Sequence, residues 1–183
     1  MAILTAAVVL VGILCVIDLL LSFGIIRRLR EQNEALQLVQ QQQTAGLDDD
    51  IALPAGSAVG AFAATTVGGT ELTNVDIIGS PLLIGFFSPN CEPCKERMPQ
   101  FIEYATRFNG RVIAVASGSV EETTDMVARL GEVGDVLVEP NEEAPVHKAF
   151  GAKGYPAMCL VGDDGVVQAS GWEMAALPVP AAL

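Results

Sequence analysis

The chain has 183 residues, of which 51% are apolar, 17% charged and 5% aromatic, and its mean hydropathy is +0.44. This length suits one domain of ordinary size with an additional segment, and the apolar content excludes a disordered chain. The net charge of −12 lies entirely in residues 44–183, and such an acidic surface argues against nucleic acid as a partner. Four cysteines are too few for a scaffold stapled by disulfides.

The first 26 residues predict a membrane anchor. Ala2 to Ile26 is a run of 25 residues in which Asp18 is the only charged residue. A spanning helix needs about 20 predominantly apolar residues, so the run is long enough. A cleaved signal peptide is the alternative, but it needs basic residues before its apolar core, and here they follow it. We therefore expect an uncleaved anchor over residues 1–26.

Residues 27–53 predict a polar helical stalk followed by an acidic linker. Leu29, Leu36 and Val39 are spaced by seven and three, which suits a helix, and residues 44–52 contain three consecutive aspartates, which suits a linker. Three arginines follow the apolar run directly. Under the positive-inside rule they place the rest of the chain in the cytoplasm.

From residue 54 onward, the pattern alternates strands with helices. Strands are predicted at Ala61–Thr66, Glu71–Thr73, Pro81–Ser88, Arg111–Ser117, Val136–Val138, Ala157–Val161 and Val166–Ser170. Helices are predicted from Cys94 to Phe108, from a capping box at Ser119 to Leu130, and over Glu143–Phe150. The first two and last two strands are predicted to form hairpins. Residues 54–183 therefore predict one α/β domain with a mixed central sheet.

Two cysteines lie three residues apart, in Cys91-Glu92-Pro93-Cys94, between a buried strand and a long helix. Because the N-terminus of a helix favours negative charge, the first thiol should ionise more easily than a free cysteine. The second lies one turn inside, close enough to close a disulfide and resolve a mixed disulfide. Lys95 adds a nearby cation, whereas Glu92 opposes thiolate formation, and Pro93 supports a stiff first turn.

The cysteine pair has three alternative uses: a structural zinc site, a copper-delivery site and a peroxidatic cysteine. Structural zinc needs four ligands, and beyond the pair the soluble part offers only Cys159, predicted to be a packed thiol, and His147, predicted to be a surface side chain. A copper-delivery site would need further ligands close by. A peroxidatic cysteine fits the spacing of Ser88 and Cys91, but the proline expected four residues before that serine is Ile84.

Several features of residues 54–172 resemble the thioredoxin superfamily. They are the strand Leu82–Phe87, the Cys-x-x-Cys pair, Pro99 five residues after the second cysteine, and Gly154-Tyr155-Pro156 before the strand Ala157–Val161. The hairpin and the anchor make the chain similar to the TlpA-like, membrane-anchored thiol–disulfide oxidoreductases. Ser88-Pro89-Asn90-Cys91 is most similar to the methylamine dehydrogenase accessory-type branch.

The resemblance implies a thioredoxin-like three-layer sandwich with a mixed central sheet and an N-terminal hairpin, preceded by one transmembrane helix. It implies that Cys91 is the nucleophile and Cys94 the resolving thiol. Pro156 would be a cis-proline packed against the pair, with an ordinary trans turn as the alternative, and the Tyr155 backbone would pair with an extended substrate. The only redox group would be the Cys91–Cys94 disulfide, with no metal and no other cofactor.

The chain also departs from the family pattern at three places. The usual tryptophan before the first cysteine is Asn90, and the buried acid that many thioredoxins carry falls at Gly85, so no proton acceptor for Cys94 is identified. After Trp172 the chain has two prolines within the last six residues, which predicts a short or absent terminal helix.

The resemblance further implies partners and a location. Client proteins with thiols or disulfides are the expected substrates, a membrane electron donor is a candidate partner, and the domain is expected outside the cytoplasm. Arg27, Arg28 and Arg30 argue against that orientation. An alternative function is an assembly or maturation factor that binds one client complex, with redox activity secondary.

Overall fold

The computed structural model describes residues 51–178. Their strands are β1 (Ala63–Thr65), β2 (Glu71–Thr73), β3 (Leu82–Phe87), β4 (Arg111–Ser117), β5 (Asp135–Glu139), β6 (Ala157–Val161) and β7 (Val167–Gly171). Their helices are α1 (Glu92–Ala105), α2 (Val120–Leu130), α3 (Pro145–Phe150) and a 3₁₀ helix over Met174–Ala176. The predicted anchor and most of the predicted stalk and linker lie outside the described residues. Within 51–178, no helix combines the length and apolar character that crossing a bilayer requires.

Five strands form one mixed sheet in the order β5-β4-β3-β6-β7, and β1 and β2 form a separate hairpin. Strands β3, β4 and β5 are parallel to one another, whereas β6 and β7 are antiparallel to their neighbours. Because the carboxyl ends of parallel strands meet at one edge, the segment after Phe87 lies beside Ser117 and Glu139. The predicted α/β domain with a mixed central sheet is confirmed.

Strand β3 is buried along its whole length, and its side chains alternate between two hydrophobic clusters. On one side of the sheet, which we call the α1 face, Leu83 and Phe87 pack with α1 and α2. On the other, the α3 face, Ile84 and Phe86 pack with α3 and the β1–β2 hairpin. Each fully buried side chain of this size contributes about 1.5–3 kcal/mol. The domain therefore has three layers. The central sheet lies between α1 and α2 on one side and α3 with the β1–β2 hairpin on the other.

Helix α1 ends earlier than the sequence pattern predicts. Phe108 has the helical spacing of the preceding apolar residues, but the helix stops at Ala105. The backbone N–H of Phe108 then donates to the Ala105 carbonyl at 3.1 Å, which is a tighter i−3 turn. The Phe108 ring stacks on Tyr104, with ring centroids 6.2 Å apart. The side chain therefore packs where a helix would place it, although the backbone has left the helix.

The packed domain begins before Pro54, the predicted boundary. Ala52 is buried in the core of the α3 face, and the Leu53 N–H donates to the Phe150 carbonyl at 2.8 Å. The Lys153 N–H donates to the Ile51 carbonyl at 3.0 Å. The end of the predicted linker is therefore part of the fold, because these hydrogen bonds attach it to the far end of α3.

Candidate active site

Cys91 and Cys94 are joined as a disulfide at the start of α1, with their Cα atoms 5.2 Å apart. Cys91 is the N-cap residue and has an extended backbone, whereas Cys94 lies inside the first turn. Cys94 is completely buried, and Cys91 is only partly buried. Of the two sulfurs, only that of Cys91 is therefore open to attack on, or by, another protein.

The backbone of the first turn faces the Cys91 sulfur. The Cys94 N–H points at Cys91 Sγ, with N and S 3.1 Å apart. N–H groups at a helix N-terminus have no partner inside the helix and carry the positive end of its dipole. Pro93 lies in this turn, where its missing N–H costs no hydrogen bond. Once the disulfide opens, this geometry stabilises a thiolate at Cys91.

Lys95, predicted to support the thiolate, contacts a carboxylate instead. Its Nζ lies 2.7 Å from Glu92 Oε2, and both side chains are mostly exposed. An exposed ion pair of this kind contributes at most about 1 kcal/mol. The cation and the acid that flank Cys91 therefore offset each other, and the helix N-terminus is the main electrostatic feature beside the sulfur.

The loop before β6 faces the cysteines from the neighbouring strand. The Tyr155–Pro156 peptide bond is cis, as the resemblance implies, and Pro156 is buried. The Tyr155 carbonyl oxygen lies 3.4 Å from Cys91 Sγ, although the two residues are 64 apart in sequence. The fold thus brings Cys91, Cys94, Tyr155 and Pro156 to one place.

Aromatic rings crowd the position of the usual buried acid. A Cβ at Gly85 would lie 2.7 Å from ring atoms of both Phe101 and Phe87, closer than real Cβ contacts. The two rings meet edge to face there, with centroids 5.2 Å apart. Asn90, which replaces the usual tryptophan, is exposed. Aromatic packing therefore fills the space around the position at which many thioredoxins carry a buried acid.

The prediction that His147 is a surface side chain is wrong. It is completely buried, and its Nδ1 lies 2.6 Å from Oε2 of Glu139, a carboxylate that is also buried. Its Nε2 lies 2.9 Å from Ser117 Oγ and 3.2 Å from the Tyr155 hydroxyl. The three-residue spacing of His147 from buried Phe150 was the available signal, since residues three apart share a helix face.

The same carboxylate explains why α3 starts at Pro145 rather than at Glu143. Glu139 accepts from the backbone N–H groups of Val146 at 2.9 Å and of His147 at 3.1 Å. The N-cap residue, Ala144, has no side chain able to do this. A residue from the preceding strand therefore caps the helix, which no local capping pattern indicates.

The remaining cysteine of the described segment is unreactive in the fold. Cys159 lies in the middle of β6 and is completely buried, and burial raises the pKa of its thiol to about 12. It therefore stays protonated at neutral pH, as expected for a packed thiol. Among residues 51–178, no three His, Cys, Asp or Glu side chains come together as metal ligands.

The segment after β7 packs on α1. The Arg97 guanidinium lies 4.1 Å from the centre of the Trp172 ring and pairs with Glu173. The Tyr104 hydroxyl donates to the Pro178 carbonyl at 2.6 Å. Between β7 and Pro178 the chain forms only the 3₁₀ turn Met174–Ala176. Trp172 therefore attaches the end of the described chain to the helix that carries the cysteines.

Solved structures with this architecture include several thiol–disulfide oxidoreductases. A putative thioredoxin from Neisseria meningitidis is 29% identical, with a TM-score of 0.52 over 61% of this chain and 77% of that one. The thioredoxin domain of a thiol-disulfide oxidoreductase from Bacteroides vulgatus is 18% identical, with a TM-score of 0.58 over 68% and 93%. A thiol-disulfide oxidoreductase from Bacteroides fragilis is 15% identical, with a TM-score of 0.58 over 66% and 94%.

The two Bacteroides proteins share the fold, and the Neisseria protein is also similar in sequence. No curated protein matches the chain. Residues 55–170, which include both cysteines and the cis-proline, match the AhpC/TSA family. The chain therefore belongs to the AhpC/TSA family and has a thioredoxin-like fold that carries the Cys91–Cys94 pair of a thiol–disulfide oxidoreductase-like redox enzyme.

Proposed function

We propose that the protein is a membrane-anchored, TlpA-like thiol–disulfide oxidoreductase that exchanges disulfides with client proteins. The observation that carries this proposal is the unequal exposure of the two sulfurs. Cys91 is partly exposed and receives an N–H from the first turn of α1, whereas Cys94 is buried behind it. This arrangement separates an attacking sulfur from a resolving one.

In the reducing direction, the Cys91 thiolate attacks one sulfur of a client disulfide. A Cys91–client disulfide forms, and the client's other sulfur leaves as a thiolate that takes up a proton. Cys94 gives up its proton, which balances the proton taken up by the first client thiolate, and attacks Cys91 Sγ, which restores the Cys91–Cys94 disulfide and releases the second client sulfur as a thiolate. Two electrons pass from the protein to the client, and the reverse sequence oxidises a client dithiol.

The cis-proline loop would orient the client. The Tyr155 carbonyl oxygen lies beside Cys91 Sγ, so an extended client chain passing the sulfur could form backbone hydrogen bonds there. Substrate binding by Tyr155 and Pro156 is part of the proposal. It requires no side-chain specificity, which suits exchange with more than one client.

A trapped intermediate tests the reaction. In Cys94→Ala the mixed disulfide on Cys91 cannot be resolved, so adducts that dithiothreitol releases should accumulate and identify the clients. Cys91→Ala with Cys94→Ala is the matched control and should form none. Equal adducts in both variants would mean that other thiols capture the partners and would contradict the proposal.

We place residues 1–26 in the membrane as a single-pass anchor and the domain outside the cytoplasm, where a membrane electron donor would keep the pair reduced if the protein works as a reductant. A reporter that is active in only one compartment, fused after Leu183, tests this placement. Activity on the cytoplasmic side would contradict it and would agree with the arginines at positions 27, 28 and 30.

A second candidate is a factor that binds one client complex during its assembly. The crowded position at Gly85 favours it, because a redox enzyme without a buried acid lacks a common means of deprotonating its resolving thiol. If Cys91→Ser with Cys94→Ser leaves client maturation intact, binding is the function. A thiol peroxidase would instead consume hydrogen peroxide faster than it reduces a peptide disulfide.

A further inference from the structure

A buried polar cluster lies at the same edge of the sheet as the cysteines. Its carboxylate, Glu139 at the end of β5, is 5% exposed and accepts from two backbone N–H groups at the start of α3 and from the His147 ring. Buried polar groups without partners are costly, so a carboxylate with three donors is a well-satisfied one. Its geometry is therefore fixed by the strand and the helix together.

The carboxylate determines which ring nitrogen of His147 carries the proton. The distance from Nδ1 to Glu139 Oε2 is 2.6 Å. A carboxylate can only accept hydrogen bonds, so Nδ1 is the donor. A neutral imidazole has one N–H, which leaves Nε2 with a lone pair and makes it an acceptor.

Two hydroxyl groups meet this acceptor. Ser117 Oγ is 2.9 Å from Nε2 and comes from β4, and the Tyr155 hydroxyl is 3.2 Å away and comes from the cis-proline loop. Burial raises the pKa of the Tyr155 hydroxyl, so it keeps its proton at neutral pH and can donate. The rings of Tyr155 and His147 also meet edge to face, with centroids 5.7 Å apart.

Tyr155 is the link between this cluster and the redox pair. Its hydroxyl end contacts His147, and its carbonyl oxygen lies 3.4 Å from Cys91 Sγ. A tyrosine side chain has few rotatable bonds, so fixing its hydroxyl restrains its backbone. The position of the chain segment that faces Cys91 is thus coupled to the ring nitrogen of His147.

Four exposed charged side chains surround the cluster, and one of them acts on Tyr155: after burial, the Glu142 carboxylate also raises the pKa of the Tyr155 hydroxyl. On the α3 side, an open depression of about 420 Å³ is lined by His147 and by two acidic and two basic side chains, Glu142, Glu143, Lys148 and Lys153. On the sheet side, the imidazole packs on the Phe86 ring, with centroids 4.8 Å apart. The closest charge to the ring is therefore that of Glu139.

We propose that Glu139 and His147 are positioning residues for disulfide exchange with proteins. Glu139 holds the His147 proton on Nδ1, and Nε2 then holds the Tyr155 hydroxyl, which fixes the backbone that an incoming client meets beside Cys91. This inference rests on the proposed function, because it assigns the cluster a role in client exchange. Neither residue touches the reacting sulfurs in the structure.

The tautomer can be read directly, because His147 is the only histidine in the chain. In ¹⁵N-labelled full-length protein at neutral pH, we expect a protonated Nδ1 and an unprotonated Nε2. In Glu139→Gln, the amide oxygen can still accept from the His147 backbone N–H and from Nδ1, so the tautomer should stay, but the hydrogen bond to the ring should weaken because the acceptor has lost its negative charge. A proton on Nε2 in the wild-type protein, with or without one on Nδ1, would overturn the proposal.

Rates of disulfide exchange then distinguish a positioning role of the cluster from general damage to the fold. Tyr155→Phe removes one hydroxyl from Nε2, and Tyr104→Phe, the matched control, removes the hydroxyl of the other tyrosine, which donates to the Pro178 carbonyl away from the cluster. We expect Tyr155→Phe to slow exchange with an extended peptide disulfide about three- to tenfold, the range set by one ordinary hydrogen bond. Exchange with glutathione disulfide, which needs no backbone pairing, should stay within about twofold, and Tyr104→Phe should leave both rates unchanged.

The double variant tests whether Glu139 and Tyr155 act through the same contacts. Glu139→Gln and Tyr155→Phe act on one chain of contacts, so the double variant should be no slower toward the peptide than the slower single variant. Additive losses, or equal slowing toward peptide and glutathione, would overturn the positioning role. If the wild-type protein exchanged with neither reagent, the proposed function itself would fail, and that result is distinguishable from the others.

Discussion

The two faces of the central sheet differ in whether they bury charged or polar side chains beside the strands. On the α1 face, the site of the usual buried acid is Gly85, and the rings of Phe87 and Phe101 fill the space around it. On the α3 face, a carboxylate and an imidazole are buried together between β5 and α3. The buried acid of this domain therefore lies on the other side of the sheet from the resolving cysteine.

A second contrast concerns the way in which each face caps a helix with a carboxylate. Glu122, in the first turn of α2, accepts from the Ser119 N–H at 3.0 Å in an exposed capping box. Glu139 caps α3 from a neighbouring strand and is buried. Water can replace the exposed hydrogen bonds of Glu122 but not the buried ones of Glu139. Losing the Glu139 carboxylate should therefore lower the free energy of unfolding more than losing that of Glu122.

The largest effect is expected on the α3 face, from Glu139→Ala. Three buried donors lose their acceptor, and since each unpaired buried donor costs about 1–3 kcal/mol, the free energy of unfolding should fall by roughly 3 kcal/mol or more. Urea unfolding measures this loss. Glu132→Ala, at an exposed glutamate after α2, is the control and should change stability by less than about 0.5 kcal/mol. Equal losses of unfolding free energy in the two variants would show that the buried Glu139 carboxylate contributes no more to stability than an exposed glutamate.

An intermediate effect is expected on the α1 face, from Gly85→Ala. The new methyl group would meet Phe101 and Phe87 at 2.7 Å, and overpacking of this kind typically costs about 1–3 kcal/mol. Gly68→Ala is the matched control, because its nearest neighbour would be 3.7 Å away, at Thr66 Oγ1. If Gly85→Ala were as stable as the wild type, the α1 face would have room for a side chain, and the absence of an acid there would need another cause.

The smallest effect is expected from Glu122→Gln and should depend on pH. Hydrogen bonds from the Ser119 backbone and side chain lower the pKa of Glu122. A lowered folded-state pKa contributes stability above the unfolded value of about 4.3, and that stability is lost as the pH falls through the folded value. The variant should therefore be slightly less stable than the wild type at pH 7, and the difference should shrink below about pH 4.

Urea titrations at both pH values measure this difference, with Glu121→Gln as the control for charge in the same exposed turn. A deficit of Glu122→Gln that stays constant down to acid pH would show that the carboxylate charge is not what caps α2.

Sequence patterns were sufficient wherever a residue's environment follows from its near neighbours. The apolar runs Arg111–Ser117 and Ala157–Val161 coincide with β4 and β6, and the capping box at Ser119 opens α2 as predicted. The Cys-x-x-Cys pair falls at the N-terminus of α1, as the spacing predicts. The cis-proline loop lies beside it, a placement that the family resemblance implied and that no local spacing indicates.

Patterns failed where a partner comes from another element. His147 is polar and lies on a six-residue helix, so its own segment gives little sign of burial, and its partners are eight and thirty residues earlier in the chain. Ala52 resembles linker sequence, and only its contacts with the α3 face bury it. Pairing across the sheet edge creates both environments, and it depends on the fold rather than on local spacing.

The proposed function depends most on Cys91 and Cys94 acting as one redox pair, with the sulfur of Cys91 more accessible than that of Cys94. Full-length protein in detergent can be equilibrated with mixtures of reduced and oxidised glutathione, quenched with an alkylating reagent, and examined for the modification at each cysteine. We expect the two thiols to become protected together as the mixture becomes more oxidising, with Cys91 labelled before Cys94 when both are free. Two thiols that never become protected together, even in the most oxidising mixture, would contradict it.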